Sequence, residues 1–463
     1  MDAGITTMPA SRDSAAWRAE ARATVALAGP IVLTNLSQMA LALTETALLG
    51  RFGTRELAAG MLAASLHFAM LAPALGLALA AAPLQAQIRG HGRVAGGAGR
   101  GWVRGMRRAT RASLWAVVLA ILPAWAVLWE SAAVLRALGQ DPALADLAQH
   151  YTRGAMFGIP AFCAFIVLRG FLAAMERPAA AMWVSLGAVA LNLPVAWALI
   201  FPAGLGVAGA GLAITVANAA MVAALLVLIA RDRVFRRFRI LGRFWRPDAA
   251  RTKEVFLVGL PIAGAMLLEI GVFSAAALAM GWFGAIAVGA HAIAIQTAST
   301  TFMVPLGIGQ AATARVGLAI GAGDVAGAAR AGWVAVALGG GFMLAMAVTL
   351  LVAAPGIAWL FLDPGVPGAM EVAALGTMLL RIAGLFQLGD GLQVVVAGAL
   401  RGLKDTRVPM LFAALGYWGI GLPMGLALAQ FGGFGPRGIW MGLGVGLAVV
   451  AGLMLLRWRR LSA

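Results

Sequence analysis

The chain has 463 residues, of which 62% are hydrophobic and only 11% charged, against about 25% charged in a soluble domain. Such a chain cannot keep a whole surface wet, so a soluble globular protein is excluded and an integral membrane protein is expected. A net charge of +17 would suggest nucleic acid in a soluble chain, but here its distribution reads as membrane orientation, and no nucleic-acid partner is expected.

Residues 1–23 are polar and lack the apolar core of a secretory signal, so they are expected to form a cytoplasmic N-terminal segment. Apolar windows of about 20 residues then predict twelve spans, at 24–50, 57–84, 112–132, 151–174, 179–202, 207–230, 256–281, 286–312, 332–354, 376–400, 408–430 and 438–456. Apolar residues run almost all round these segments, as in helices in lipid, whereas barrel strands would alternate. The fold class is therefore an all-α integral membrane protein. The lone Cys163 excludes an intrachain disulfide and a cysteine-based metal site.

With the N-terminus in the cytoplasm, 29 of the 35 Lys and Arg residues fall on the cytoplasmic side, Arg12, Arg100, Arg169, Arg243 and Arg401 among them. The six exceptions are Arg51, Arg55, Arg136, Arg153, Arg381 and Arg437. This asymmetry places both termini in the cytoplasm. The Arg-rich stretch 231–254 reads as a topology determinant against anionic lipid headgroups, with Phe235, Phe238, Phe244 and Trp245 expected at the membrane interface.

The sequence is written twice. "GPIVLTNLSQMALALTETALLGRFG" (29–53) parallels "LPIAGAMLLEIGVFSAAALAMGWFG" (260–284), with Pro30 on Pro261, an offset of 231. Gly76 aligns with Gly307, and the pair Gly90 and Gly92 with Gly321 and Gly323, at the same offset. "LRGFLAAMERP" (168–178) parallels "LRGLKDTRVP" (400–409) at 232. Two sets of six spans related by an axis along the membrane normal follow, as two pseudo-symmetric six-helix bundles around a central cleft. The divisions are 24–230, a cytoplasmic linker 231–254, and 255–463. The GxG pairs follow membrane helices and complete no GxGxxG, so they read as tight turns. Neither lysine, Lys253 nor Lys404, sits in a phosphate-binding loop; work done here draws on an ion gradient or on nothing, and no cofactor is expected.

Three acids fall inside spans: Glu45, Glu269 and Asp390. Each costs about 2.5–3.5 kcal/mol or more at mid-membrane, so such residues normally face a watery cavity and bind something. The repeat partner of Glu269 is Gln38 and that of Glu45 is Ala276, so the acids are not a copied structural device. Asn35 and Gln38 share a face of span 1; they line the cleft or bond across helices, and Gln296 on span 8 is similar. Pro30 and Pro261 sit inside spans at matching positions, where a proline removes a backbone hydrogen bond and kinks the helix, so both are hinge candidates.

Over essentially its whole length the chain resembles the multidrug and toxic compound extrusion (MATE) family, in its bacterial NorM-type branch. The resemblance rests on the 29–53 stretch, on "LLEIGVF" in span 7, on "AHAIAIQTASTTFMVPLGIGQAATARVG" (290–317) and on "GDGLQVVVAGALRGLKDT" (389–406). It implies an antiporter of the inner membrane that exports amphipathic organic cations in exchange for Na⁺ or H⁺ by alternating access. It implies that Glu269 and Asp390 bind the coupling cation, Na⁺ included, and the substrate. The family's span 1 acid, commonly Asp, matches Glu45, and its span 5 Asn matches Asn192, while Ala196 replaces a polar residue found in some relatives. Lipid and the exported cations are the expected partners, and a monomer the expected state.

Two other classes are weighed against this. A flippase-like exporter of a lipid-linked or other metabolite would want a basic cavity for pyrophosphate, and the mid-span charges are acidic. An enzyme would need a catalytic cluster at the membrane face, and the outer loops offer only scattered acids, so no enzyme is expected.

Overall fold

The computed structural model describes residues 14–94, 96, 100–240, 242 and 244–463. Residues 1–13 of the expected N-terminal segment, including Arg12, lie outside the described residues, as does Arg243 of the linker. The described residues are helical and carry no strand. The first half holds α1 (Ser14–Phe52), α2 (Thr54–Leu79), α3 (Ala81–Val94), α4 (Arg100–Trp129), the short α5 (Ser131–Ala137), α6 (Pro142–Ala155), α7 (Gly158–Ala174), α8 (Ala179–Ile200) and α9 (Gly206–Arg231). The second holds α10 (Ala249–Gly281), α11 (Ala285–Gly321), α12 (Val325–Trp359), α13 (Ala369–Gly402), α14 (Arg407–Ala413), α15 (Leu422–Gln430) and α16 (Pro436–Ser462). Eleven of these stretches, with α2 running into α3 and α14 through to α15, are long and apolar enough to cross a membrane, or twelve if α6 and α7 count as one bent span.

Three differences from the sequence reading have physical causes. First, residues 14–23 are the opening turns of α1, not a separate tail, because Glu20 is held by Arg315 of α11 through two hydrogen bonds of 2.7 and 2.6 Å. Second, the fourth span is broken between α6 and α7 by 46°. Pro160 has no N–H for the carbonyl four residues back, and that carbonyl, of Met156, accepts instead from Trp125 Nε1 at 2.8 Å. Third, the eleventh span opens into π turns at Ala414–Gly421, just before Pro423, which cannot donate to the Gly419 carbonyl.

The linker packs as a strap on the first half. Phe235 and Phe238 are buried, edge-on to Phe171, and Phe238 also meets Trp102. Phe244 stacks on Trp115. Of the four aromatics expected at the interface only Trp245, 72% exposed, stands clear of the protein. Asp248 caps α10 by accepting from the Arg251 N–H and bonds Arg108.

The halves join by the same contact made twice. Leu27, Ala28 and Ile31 of α1 pack into the core of the second half. Val258 and Ile262 of α10, the repeat partners of Leu27 and Ile31, pack into the core of the first. Gly76 lies against the Ala263 backbone, and Gly307 against Val32, which is the same pair with the halves exchanged. On the pseudo-two-fold axis α3 crosses α11. A Cβ on Gly90 would lie 2.1 Å from the Leu318 carbonyl oxygen, and one on Gly321 would lie 2.0 Å from that of Gln87. Gly90 and Gly92 are therefore helical contact residues within α3, not the tight turn expected; of the second pair only Gly323, at φ +76°, makes a turn. Hydrogen bonds close the joint: Gln87 Nε2 donates to the Gly402 carbonyl at 2.9 Å, and His91 Nδ1 meets that of Gly321 at 2.5 Å. These contacts gather toward one end of the molecule, the end that carries the Arg-rich strap, called the basic face below.

Candidate functional site

The second half carries a buried polar run along an otherwise apolar helix. Gln387, Asp390 and Gln393 succeed one another at spacings of three on α13, so each neighbours the next, and all three are buried, at 0%, 6% and 4% exposure. Asp390 Oδ1, Gln393 Oε1 and both amide atoms of Gln387 have no hydrogen-bond partner among the described residues. Buried polar atoms are nearly always satisfied, and an exception asks for a bound water or ion. Eleven residues beyond Asp390, about 16 Å along the axis and nearly on the same face, stands Arg401.

Glu269 reaches this run from α10. It makes no hydrogen bond or ion pair with a described residue. It lines a cavity of about 40 Å³ together with Pro261, Gln393, Arg401 and Tyr417. That is room for a few waters or an ion, at about 10–15 Å³ each, and far below the roughly 300 Å³ at which drug-sized sites begin. Tyr417 comes from the π turns, its hydroxyl accepting from Gln393 Nε2. The adjacent Trp418 Nε1 donates to the Leu268 carbonyl at 3.0 Å, which ties the π segment to α10 one residue from Glu269.

The oxygen atoms gathered here, from Glu269, Asp390, Gln393 and Tyr417, are hard donors of the kind that suit H⁺ or Na⁺. Among the described residues no group of three or more His, Cys, Asp or Glu could hold a metal ion, so any Na⁺ would draw on the amide and phenol oxygens as well as the two carboxylates.

The first half is arranged differently. Glu45 is buried at 4% exposure, its Oε2 accepting from the Tyr151 hydroxyl at 3.0 Å while its Oε1 is unmatched. Asn192 is buried with neither amide atom matched. Asn35 accepts from Arg169 at 2.9 Å, and Gln38 has an unmatched Nε2. None of these four, nor Gln296 on α11, lines the Glu269 cavity. Pro261 does line it, whereas its repeat partner Pro30 borders a surface crevice with Glu176 and Arg177.

The sequence reading missed Arg401, Gln393, Gln387 and Tyr417. A usable signal was present: the chain has two tyrosines, and each lies against an intramembrane acid. The reading also counted Arg169 and Arg401 only as part of the cytoplasmic basic charge; Arg401 stands in the last turn of α13 and Arg169 within α7, and both line a cavity between the halves.

A family profile described as MatE matches the chain twice, over residues 30–198 and 261–426, and the two matches begin at Pro30 and Pro261. A protein of Mesorhizobium japonicum named "Probable multidrug resistance protein NorM" is 46% identical over 449 residues, covering 96% of this chain and 94% of that one. Among solved structures, the eukaryotic MATE transporter AtDTX14 superposes with a TM-score of 0.86 at 21% identity over 96% of this chain and 98% of its own. The Vibrio cholerae MATE transporter VcmN in its bent form gives 0.83 at 18% over 97% and 98%; at such identities the likeness is one of fold.

Proposed function

The chain belongs to the MATE family, in its NorM-type branch, and on that premise we propose that it is a multidrug exporter exchanging amphipathic organic cations for Na⁺ or H⁺. The observation that carries this reading is the Asp390 carboxylate, buried with an oxygen unmatched among the described residues, three residues along α13 from Gln393, which lines the same cavity as Glu269. Glu269 lines the small cavity, while Asp390 does not line it but lies three residues along α13 from Gln393, which does; in this reading a coupling cation and an organic cation compete for the negative charge of these two acids. Inward movement of one monovalent cation down about 100 mV supplies roughly 2.3 kcal/mol for the exchange.

In this reading the basic face is cytoplasmic and the membrane is the bacterial inner membrane. The halves are joined at that face, which corresponds to the state closed toward the cytoplasm. Prolines inside α1 and α10 flank the joint, and rocking of the halves about it would expose the site to either side in turn. Glu45, held by Tyr151, takes a supporting part in the first half.

Counterflow of a cationic dye in proteoliposomes, with Na⁺ and pH gradients imposed one at a time, tests the proposal. Glu269→Gln and Asp390→Asn are expected to abolish ion-driven efflux while the protein still inserts, and Glu45→Gln to reduce it less. Wild-type rates in both of the first two variants would refute the assignment.

A further inference from the structure

Two arginines remain that the cation site does not employ. Arg169 of α7 and Arg401 of α13 are repeat partners, each the middle residue of a Leu-Arg-Gly triplet, at 168–170 and 400–402. Both line one cavity of about 30 Å³ on the seam between the halves, which Gln310 and Thr313 of α11 also border. Arg169 is buried, at 6% exposure. Its one described hydrogen bond runs from NH1 to Asn35 Oδ1, and the Nδ2 of that asparagine is left without an acceptor. Arg401 forms no hydrogen bond or ion pair with any described residue.

The imbalance is chemical. A guanidinium carries five N–H donors and no acceptor, so the two arginines bring ten donors to the seam, of which one is matched. Thr313 does not redress this, because its hydroxyl is spent on the Gly309 and Gly398 carbonyls at 3.0 and 2.8 Å. Two cations that share a small enclosed space repel each other strongly unless negative charge lies between them. Arg401 has Glu269 for compensation in the neighbouring cavity that both line; the only described partner of Arg169 is a neutral amide.

We propose that Arg169 and Arg401 form a binding site for one small monovalent anion, of the size and charge of chloride, on the seam between the two halves. The cavity of about 30 Å³ has room for two or three waters at about 10–15 Å³ each, so one chloride or bromide fits and the bulkier sulfate fits less well. One ligand comes from each half, so the anion bridges the halves and stabilises the state in which the basic face is closed. Arg401 also lines the Glu269 cavity, which links the sites electrostatically. When the Glu269 charge is neutralised, Arg401 loses its compensating neighbour and the anion binds more tightly. The site stands on the arginines alone and does not depend on the exporter reading.

The test uses the full chain in nanodiscs, with thermal unfolding followed while chloride replaces gluconate at constant ionic strength. The midpoint is expected to rise saturably with chloride, and likewise with bromide, but less with sulfate. Arg169→Gln and Arg401→Gln should each weaken the response by about tenfold or more, the usual loss for a charged hydrogen-bond partner. Glu269→Gln should move the half-point to lower chloride, a change of opposite sign that a general loss of folding would not produce. Arg401→Lys, which keeps the charge, should retain a weakened response and serves if the glutamine variants do not fold. Equal midpoints in chloride and gluconate would overturn the proposal, as would a wild-type response in folded glutamine or lysine variants that differ from wild type in neither direction.

Discussion

Replacing Gly321 by alanine should push the two halves apart at the basic face. The new Cβ would stand 2.0 Å from the Gln87 carbonyl oxygen, and the Cα and C atoms of the same residue lie 2.7 Å away, whereas ordinary contact begins at 3.4 Å. The obstacle is backbone, so no rotamer change relieves it, and α3 and α11 must separate by more than an ångström. Overpacking of this kind costs about 1–3 kcal/mol, and the cost falls only on the state in which the halves touch here. A tilt of about 1–3 kcal/mol changes the ratio of two states by roughly 5- to 150-fold. Spin labels at Arg104 and Arg460, both exposed and one in each half, would report the change as a longer distance component. The native Cys163 is buried and should not take label. Gly90→Ala meets the Leu318 carbonyl from the other side of the same crossing, so it should act alike, and the pair should be less than additive. Unchanged distance distributions in both folded single variants would refute the view that this crossing closes the face.

Arg315→Ala removes the guanidinium that ties α11 to Glu20 and Glu176 of the first half; the same label pair should show a shift in the same direction as Gly321→Ala, larger at low salt than at high salt. Tyr417→Phe keeps the ring but removes the hydroxyl that accepts from Gln393, and dye counterflow should fall about tenfold while expression and thermal midpoint stay within the range expected for one lost hydrogen bond, about 0.5–1.5 kcal/mol. Asp248→Ala removes the cap of α10 at a cost of about 1 kcal/mol, measured by thermal unfolding at neutral pH. The hydrogen bond from Arg108 holds the Asp248 carboxyl below its usual range, so its stabilising contribution is complete at neutral pH and is lost only as the pH falls through that lowered value; the gap between variant and wild type should therefore close in acid.

The number of spans, the internal repeat and the positions of the three intramembrane acids are legible in the sequence because each is a local or periodic signal. A twenty-residue apolar window needs no knowledge of its neighbours, and an acid within it is conspicuous. What escapes is the direction in which a side chain points once helices pack. Arg169 and Arg401 lie near the basic ends of their helices, and a count of charge by position cannot separate an arginine in headgroups from one turned into a seam. Phe235 and Phe238 are misplaced for the same reason: an aromatic between arginines reads as interfacial, but the strap folds back and buries both rings against Phe171. The break at Pro160 is hidden because hydropathy is blind to the backbone hydrogen bond that proline removes. The role of Gly90 and Gly92 is hidden because a glycine in a turn and a glycine at a helix crossing look alike in one chain; only the repeat partner of Gly90, which proves to be its contact partner, separates them.

The repeat and the charges obey different rules. The helix contacts that join the halves recur at the offset of 231: Leu27 and Val258, Ile31 and Ile262, Gly76 with Ala263 and Gly307 with Val32, Gly90 against Gly321; the polar ties from Gln87, His91 and Arg315 do not. A joint that opens and closes about one axis gains from two equal arms, since an unequal pair would translate one half past the other instead of rotating it. The paired arginines belong to this symmetric set. The acids do not: Glu269 stands where the first half has Gln38, and Glu45 where the second has Ala276. In the proposed exchange, a single coupling event per cycle needs one site whose charge changes, and a second copy would add a second desolvated carboxylate at about 2.5–3.5 kcal/mol without adding drive. In the proposed exporter, symmetry is thus kept at the joint between the halves and lost at the acids, and substitutions in the two classes should separate cleanly, the first altering which face is open and the second altering what is carried through it.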